Sequence, residues 1–451
     1  MSEPAETPGR PVRRRVPIPV RLIAVTVVVA LSAFVFVRSL DDDLPSSLDP
    51  AWTVGQSDLG APAEDRSGET TGLVVGDLAI VAGPGGLFAF GTGDGVRRWD
   101  FPIPQLRYCG VTAGPDAVYL TVRPDEAPAA TGPCSELVRV GMDGREQWRS
   151  DLGPAEPDTG SRSSTAGPLA IGATTGDVAL VGARSITARA ARDGSTAWTA
   201  TIEQDMWGES EYGGGCAFRD AIVGPDVIAT TIGCERPLIA AGTSDTVLEF
   251  RSRADGSVLH RGSVFPGGDA TLVHATRAGA VLVGSPGTSG AIVDFVDGSA
   301  VHVASYRAPG VSASHGPLAT DRELRNAVIA GDLLVLLPTS GLPAAIRIST
   351  GRTAWSAQEG PERGGGDGPA VVWKSALLVG DGRVFSAYDL ETGALRSDAG
   401  IDIGSGPTGD RGRTASTQSW SELHRAGDRI IGFRLDSTRR SVVGLREAGT
   451  E

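Results

Sequence analysis

The sequence has few of the residues from which catalytic and metal sites are usually built. Its 451 residues include four cysteines, five histidines and a single lysine, Lys374. Neither a Gly-x-Ser-x-Gly nor a His-Glu-x-x-His motif occurs, so no nucleophile elbow and no zinc-protease helix is indicated. Cys-x-x-Cys is missing and no histidine lies near a cysteine, which argues against a zinc site. His274, His315 and His424 have no partner spacing that would indicate a catalytic triad.

Aromatic residues and net positive charge are also scarce. Aromatics make up 5% of the chain, whereas Gly and Pro number 62 and 29. This composition excludes a helical protein and is typical of many short strands joined by turns. The formal net charge is -13, and residues 1–40 hold six arginines against two acids, which leaves -17 for residues 41–451. Such an acidic surface would repel phosphates, so no nucleic acid partner is expected, and it would attract basic partners.

One long apolar run lies near the N-terminus. Residues 22–37 (LIAVTVVVALSAFVFV) contain no charge and no proline, and as a helix they would span about 24 Å of a ~30 Å membrane core. Five arginines precede the run and three aspartates follow it, which places the N-terminus in the cytoplasm. We therefore predict a cytoplasmic basic tail over 1–21, a transmembrane helix over 22–38 and an extracytoplasmic linker over 39–50. A cleaved signal peptide is the alternative, but no small-x-small site follows the run.

A short signature recurs seven times after residue 86. An alternating apolar run leads to Asp-Gly or Thr-Gly, and the fourth residue after the glycine is often Trp. The glycines are Gly95, Gly144, Gly194, Gly256, Gly298, Gly351 and Gly393. Their separations of 42–62 residues match the size of a propeller blade, and glycine favours the hairpin because it accepts a positive φ. Trp at the last position can pack between blades, and His260 and His302 are expected to pack there in two copies.

The alternating strand followed by Asp/Thr-Gly-x-x-x-Trp resembles the repeat of quinoprotein-type (PQQ-like) β-propellers. That family includes quinoprotein alcohol dehydrogenases and propeller lipoproteins of outer-membrane assembly. The resemblance covers about residues 50–446 and implies a fold much more than a function. If the chain were one of the dehydrogenases, the resemblance would imply that PQQ and Ca²⁺ bind beside a vicinal Cys-Cys pair. No two cysteines are adjacent here, and no Asp-x-Asp-x-Asp-Gly loop occurs, so PQQ is not supported and Ca²⁺ has only weak support.

The number of blades follows from how the ring closes. Residues 51–54 (AWTV) resemble an outer strand without its hairpin, because Trp52 begins this strand as Trp198 begins WTAT. Residues 429–435 and 441–445 resemble two middle strands with no outer strand after them. An N-terminal strand that completes the last blade would leave no open edge. We predict an all-β, eight-bladed β-propeller over 51–446 and a tail over 447–451, with seven blades as the alternative.

The cysteines predict disulfide bonds. An even number of cysteines outside the cytoplasm favours disulfides, and four cysteines allow three pairings. Cys109 and Cys134 fall in one predicted blade, and Cys216 and Cys234 fall in another. We predict the bonds Cys109–Cys134 and Cys216–Cys234.

Long irregular segments follow the predicted outer strands. They lie at 153–167, 202–215, 304–326, 358–368 and 398–421, so we expect them on one face of the ring, where binding commonly occurs on such scaffolds. The segment 203–215 combines aromatics with carboxylates, as interface hot spots do, although it could also simply fold on its own Trp. Its candidate binding residues are Glu203, Asp205, Trp207, Glu209, Glu211 and Tyr212.

Together these features favour a non-enzymatic binding or scaffold module of the cell envelope. The chain would be a single-pass protein of the cell membrane with an extracytoplasmic propeller. Its expected partner is an envelope protein or peptide, and a basic one would suit the acidic loops. The alternatives are a quinone-dependent dehydrogenase and another enzyme built on a propeller.

Overall fold

The structure of the chain, a computed structural model, describes most of the residues after 47. The described ranges are 48–59, 70–83, 85–104, 106–124, 134–153, 168–202, 216–234, 245–266, 270–284, 292–307, 327–337, 342–358, 369–380, 384–402, 421–435 and 440–447. The chain divides into two units, Met1–Leu44 and Pro45–Glu451, and all of these ranges belong to the second. The predicted span 22–38 lies outside them. Within them, no helix has the length and apolar character needed to cross a membrane.

The described ranges contain thirty-two strands, which form eight four-stranded antiparallel sheets. The strands are β1 (Leu48–Val54), β2 (Thr71–Val75), β3 (Leu78–Gly83), β4 (Gly86–Gly91), β5 (Arg97–Pro102), β6 (Leu106–Ala113), β7 (Ala117–Pro124), β8 (Glu136–Gly141), β9 (Glu146–Asp151), β10 (Ala170–Ala173), β11 (Asp177–Val181), β12 (Ser185–Ala190), β13 (Thr196–Thr201), β14 (Cys216–Val223), β15 (Val227–Cys234), β16 (Asp245–Ser252), β17 (Val258–Pro266), β18 (Ala270–Thr276), β19 (Gly279–Gly284), β20 (Ile292–Asp297), β21 (His302–Arg307), β22 (Val328–Ala330), β23 (Leu333–Leu336), β24 (Ala344–Arg347), β25 (Arg352–Ser356), β26 (Ala370–Trp373), β27 (Ala376–Gly380), β28 (Val384–Asp389), β29 (Leu395–Asp402), β30 (Glu422–Ala426), β31 (Arg429–Leu435) and β32 (Arg440–Glu447). Blades 1 to 7 take these strands four at a time from β2 to β29, each in the order first, second, third, outer.

Blade 8 joins the two ends of the propeller sequence. Its order is β1-β32-β31-β30, so the outer strand comes from the N-terminal side of the domain. Leu48 lies opposite Glu447 and Val54 lies opposite Val442. The predictions of eight blades and of closure by the strand at Trp52 are therefore confirmed. A short 3-10 helix, Gln56–Leu59, follows the closing strand.

Packing between neighbouring blades forms the core. First strands of adjacent blades contact one another, as β10 does with β6 and β14, so they form the inner wall of the ring. Second strands are covered on both faces, which explains continuous apolar runs such as Leu78–Gly83. Outer strands instead alternate between half-buried and exposed residues, as in Arg97–Pro102.

The recurrent Trp and Gly of the signature join one blade to the next. Trp52, Trp99, Trp148, Trp198 and Trp355 lie in outer strands, and each indole N–H donates to a backbone carbonyl in the third-to-outer turn of the following blade, at 2.7–3.0 Å. Each ring also lies against the positive-φ glycine of that turn, where a Cβ would approach the ring to under 3.0 Å. The paired glycines are Gly95, Gly144, Gly194, Gly256 and Gly393. We call this pair of contacts a tryptophan lock and the contact between two neighbouring blades a seam.

Blade 5 departs from the predicted register. Six of the seven signature glycines have a positive φ, but in blade 5 the residue with positive φ is Ala300 (φ 60) and not Gly298. Ala300 N–H donates to Asp297 O, as Gly144 N–H donates to Gly141 O in blade 2. His302 pairs with Val296, and Ala304 takes the place opposite Phe295 that a lock Trp would occupy. The prediction that His302 replaces the Trp was therefore wrong by two residues.

His260 does hold the Trp position in blade 4, but it does not pack as predicted. It lies opposite Phe250, as Trp198 lies opposite Ala188. Its side chain is exposed, whereas that of Trp198 is half-buried. In the next blade Ala300 stands where a lock has glycine, and its backbone lies close to Gly262, two residues beyond His260.

Candidate functional site

The two ends of the ring differ in the length of their connections. At one end lie the turns that join first to second strands and third to outer strands. These turns are short, and in blades 1 to 7 all of them belong to the described residues. The five long segments predicted from the sequence each lead from an outer strand to the next first strand, so the strand order puts their roots together at the opposite end. Two of them, 304–326 and 398–421, were predicted to begin too early, because β21 extends to Arg307 and β29 to Asp402. Connections 125–133 and 235–244, between second and third strands, also start and finish at that end. These two connections were not predicted, because the sequence was expected to carry long insertions only after outer strands.

All six predicted binding residues fall outside the described residues. Glu203, Asp205, Trp207, Glu209, Glu211 and Tyr212 belong to segment 203–215, which joins β13 of blade 3 to β14 of blade 4. The two roots of this segment are described, and both bind the same turn. Ile202 N–H donates to Arg184 O at 3.1 Å, and Phe218 N–H donates to Ala183 O at 2.7 Å. The segment therefore leaves and re-enters the ring at fixed positions on the seam between blades 3 and 4.

An almost fully buried arginine crosses this same seam. Arg253, with 4% of its side chain exposed, ion-pairs with Asp177 of blade 3 at 2.7 Å. Its guanidinium also donates to Gly172 O at 2.8 Å in blade 3 and to Gly224 O at 2.7 Å in blade 4. These acceptors satisfy a charge that would otherwise be costly to bury. Arg253 thus fastens β10 and β11 to blade 4.

A second buried ionic cluster lies on the third and outer strands of blade 4. Glu249 is fully buried between Arg251 and Arg261, and Arg261 Nε donates to it at 2.7 Å. Arg251 also donates to Gly256 O at 3.0 Å and reaches Thr201 O, next to the root of segment 203–215, at 3.4 Å. Charged residues at alternate positions 249, 251 and 253 would indicate a solvent-facing strand side if the strand were read alone. Because a third strand is covered by its neighbours, these charges are buried instead.

Disulfides stabilise the end of the ring that carries the long connections. Cys109 of β6 bonds to Cys134 just before β8, with a Cα–Cα distance of 6.4 Å, as predicted. This bond closes the base of connection 125–133. Cys216 is also disulfide-bonded, and the strand register places it opposite Cys234, at the start of connection 235–244. The pairing Cys216–Cys234 stays a prediction that the register favours.

Carboxylates at the opposite end are used by their own turns. Asp193 accepts from the Ser195 hydroxyl at 2.6 Å and from Ser195 N–H at 3.1 Å. These bonds, together with Arg192, lower the pKa of Asp193 to about 2. The same local bonding recurs in the turns of other blades, at Asp94, Asp143, Asp255, Asp297 and Asp389. These acids shape hairpins, and the end they occupy offers no elaborated surface among the described turns.

The polar clusters that could be mistaken for catalytic sites do not have catalytic geometry. Ser305 Oγ donates to Asp294 at 2.5 Å and also contacts His302 Nε2 at 2.8 Å. In a nucleophilic triad the carboxylate would hold the other imidazole nitrogen and not the serine. His424 contacts Glu422 at 3.2 Å and packs its ring edge-on against a phenylalanine. Both clusters hold strands together.

The Ca²⁺ site and the vicinal cysteines implied by the resemblance are not recognisable among the described residues. No group of three or more His, Cys, Asp or Glu residues there could hold a metal ion. Cys109 bonds to Cys134 and not to a neighbour in sequence, so the described cysteines provide no vicinal pair. We therefore derive no reaction step through PQQ or Ca²⁺.

Similar solved structures share this architecture. BamB from Moraxella catarrhalis is 13% identical, with a TM-score of 0.50 over 90% of this chain and 99% of BamB. Quinohemoprotein alcohol dehydrogenase from Comamonas testosteroni is 14% identical, with a TM-score of 0.53 over 90% of this chain and 77% of the enzyme. The chain has the eight-bladed fold of quinoprotein-type propellers. At such low identity this likeness concerns the fold alone. Neither a scan of protein-family models nor a search of curated proteins gave a match.

Proposed function

We propose that this chain is a non-enzymatic binding or scaffold module of the cell envelope, anchored in the membrane by residues 22–38. The observation that carries the proposal is the contrast between the two ends of the propeller. One end has tight turns, whereas the other has long connections whose roots are held by hydrogen bonds and a disulfide. Variable loops on a rigid support are the usual arrangement of a binding surface. The propeller fold itself does not decide the matter, since alcohol dehydrogenases share it.

Within that surface, we assign binding to segment 203–215. Its roots share one turn, Ala183–Arg184, and lie on the seam that Arg253 fastens. Its four carboxylates and two aromatics suit a basic protein segment, because the acids would steer the partner and the aromatics would supply contact area.

The binding assignment can be tested with loop variants of the full-length chain. In one variant Gly-Ser repeats replace 203–215, and in the matched control they replace 359–368, which joins blades 6 and 7 at the same end. A labelled oligo-arginine peptide serves as the probe and an oligo-glutamate peptide as its control. We expect salt-sensitive binding of the basic peptide by the natural chain and the control variant, and at least tenfold weaker binding by the first variant. Equal binding by all three chains would refute the assignment.

The topology can be tested through the single lysine. Lys374 lies in the described propeller with 36% of its side chain exposed, and it is the only lysine of the chain. A membrane-impermeant amine reagent applied to intact cells should therefore label the propeller at one known position. The N-terminal amine should react only after the membrane is permeabilised. As a control, a Lys374→Arg variant should lose all labelling in intact cells. Labelling of Lys374 only after permeabilisation would refute an extracytoplasmic propeller.

The enzymatic alternative has its own assay. Purified full-length chain is incubated with PQQ and Ca²⁺, and dye reduction is followed with alcohols and sugars as substrates. We expect no turnover above that of the same mixture without protein. Sustained turnover that requires the chain would contradict a non-enzymatic role.

A further inference from the structure

Tryptophan locks are unevenly distributed around the ring. Among the described residues they join blades 8 and 1, 1 and 2, 2 and 3, 3 and 4, and 6 and 7. Within the described residues, no tryptophan lock joins blades 4 and 5, blades 5 and 6, or blades 7 and 8; we call these contacts seams 4–5, 5–6 and 7–8. Blade 5 is thus the blade with no lock on either side.

The lock at seam 4–5 is excluded sterically. Ala300 stands at the turn position that is glycine in every lock, and its φ of 60 is unusual for a residue with a Cβ. A Cβ at that position would overlap an indole, and the outer strand of blade 4 has the smaller His260 there. Two residues further on, Gly262 leaves room for the Ala300 carbonyl, which a Cβ at 262 would strike. Blades 4 and 5 therefore carry His260 and Ala300 at the two positions where a lock has Trp and Gly.

Seams 5–6 and 7–8 lack the lock for different reasons. At seam 5–6, Gly351 of blade 6 has the positive φ (61) of a lock glycine. The lock Trp position in blade 5 is occupied by Ala304, which has no ring. In blade 8 no turn joins the third and outer strands, because β32 and β1 come from opposite ends of the domain. Blade 8 is nevertheless fastened on its other side by Trp52.

Blade 5 is held mainly by apolar contacts. Leu248 and Phe250 of blade 4 share a buried cluster with Leu272 and Leu282, and Phe295 shares another with Leu334 of blade 6. Across seam 4–5, Leu272 N–H donates to Asp220 Oδ2 at 2.5 Å. The outer face of the blade also exposes Val301 and Val303, at 58% and 48%. This blade lacks the indole contacts that its neighbours have.

We propose that blade 5, strands β18 to β21, is the element through which the ring opens locally while the other blades stay closed. Local opening begins where the fewest interactions must be broken. Release of blade 5 breaks no indole hydrogen bond of a lock, whereas release of any other blade breaks at least one and release of blade 1, 2 or 3 breaks two. The propeller would then contain a built-in conformational weak point, independent of what the loops bind.

Hydrogen exchange of the full-length chain tests this. Peptides from β19 and β20 of blade 5 are compared with those from β11 and β12 of blade 3, which are the corresponding buried second and third strands. We expect the blade 5 amides to exchange about tenfold faster, the change expected from losing a hydrogen bond and an aromatic contact. Equal or slower exchange in blade 5 would overturn the proposal.

A double-mutant cycle isolates the cause. His260→Trp alone should lower protection in blade 5, because the new ring meets the Ala300 Cβ. Ala300→Gly alone should change it little, because relief of the strain at φ 60 is offset by loss of the buried Ala300 methyl group. The double variant should raise protection in blade 5 above that of the natural chain while leaving blade 3 unchanged. If the two substitutions act additively, or if protection rises equally in both blades, seam 4–5 is not the weak point. The near-ultraviolet circular dichroism of each variant confirms that it is folded.

Discussion

The indole of Trp52 lies against Gly95, although the two residues belong to different blades on either side of the closing point of the ring. Trp52 Nε1–H donates to Thr92 O at 3.0 Å, and a Cβ on Gly95 would approach the ring to 2.6 Å. Trp52 therefore contributes to the closure of the ring in two ways. Its strand completes blade 8 by pairing with β32, and its side chain fastens blade 8 to blade 1.

Removal of the Trp52 ring should weaken the closure. We expect Trp52→Ala to lower the free energy of unfolding by about 3 kcal/mol, since it removes aromatic contacts and leaves a cavity. Trp52→Phe keeps most of the contact area and loses the N–H donor, so a cost of about 1 kcal/mol is expected. Denaturant titration followed by fluorescence measures both. An Ala variant as stable as the Phe variant would show that the ring does not contribute to closure.

A second prediction concerns the lock glycines. Gly194 has φ 72 and faces the ring of Trp148, whereas Gly76 has φ 59 and a Cβ there would meet nothing within 4 Å. Gly76→Ala should cost about 1 kcal/mol from backbone strain alone. Gly194→Ala suffers the same strain and also displaces the indole, so a total of about 3 kcal/mol is expected. The difference between the two variants in thermal unfolding measures the steric part of a lock, and equal costs would refute it.

Most of the fold could be predicted because its repeat is local. An Asp-Gly turn between apolar runs is recognisable in any single blade, and the unpaired strands at both ends indicate closure. Blade 5 was misjudged because Asp297-Gly298 has the same spacing to His302 as Asp193-Gly194 has to Trp198. The turn nevertheless forms two residues later, around Ala300, and only the pairing of β20 with β21 reveals this.

The candidate site was less accessible to sequence analysis. The charges at Glu249, Arg251 and Arg253 have the alternation of an exposed strand, and their burial depends on neighbouring blades that are distant in sequence. The predicted position of the long segments at one end followed from strand order and needed no side-chain detail. Roles for the residues of 203–215 stay predictions, since that segment lies outside the described residues.

The buried ion cluster of blade 4 gives a third prediction. Glu249→Gln leaves Arg251 and Arg261 beside a neutral amide, so we expect a loss of about 3–5 kcal/mol in the free energy of unfolding. Glu146→Gln is the matched control, because Glu146 pairs with Arg149 at 2.9 Å on the surface and should cost less than about 1 kcal/mol. Urea titration of both variants checks the contrast. Equal effects would mean that the cluster is solvated in solution.

The disulfides give a fourth prediction. Replacing Cys109 and Cys134 by Ala should lower the free energy of unfolding by about 3 kcal/mol, the expected effect of releasing a loop of this length. Peptide mapping without reduction should also find Cys216 linked to Cys234. A Cys109–Cys216 peptide, or free thiols at either pair in the oxidised protein, would contradict the assignment.

Stability should also depend on pH through His274 of β18. Burial lowers the pKa of this imidazole below its ordinary 6.5, so the folded chain favours the neutral form. The unfolded chain takes up the proton first as the pH falls. The contribution of His274 is therefore complete well above pH 6.5 and is lost as the pH falls from there through the lower pKa of the folded state.

Thermal unfolding between about pH 7.5 and 5.5, on either side of the ordinary histidine pKa, measures this contribution. We expect the natural chain to lose stability over this window and His274→Asn to lose less, because its side chain does not titrate. His260→Asn, which removes an exposed imidazole, is the control for loss of a histidine as such. If the His274 and His260 variants follow the same pH profile as the natural chain, burial of His274 does not set the acid sensitivity of the propeller. A flatter profile in the His274 variant alone would locate that sensitivity in the first strand of blade 5, the blade without locks.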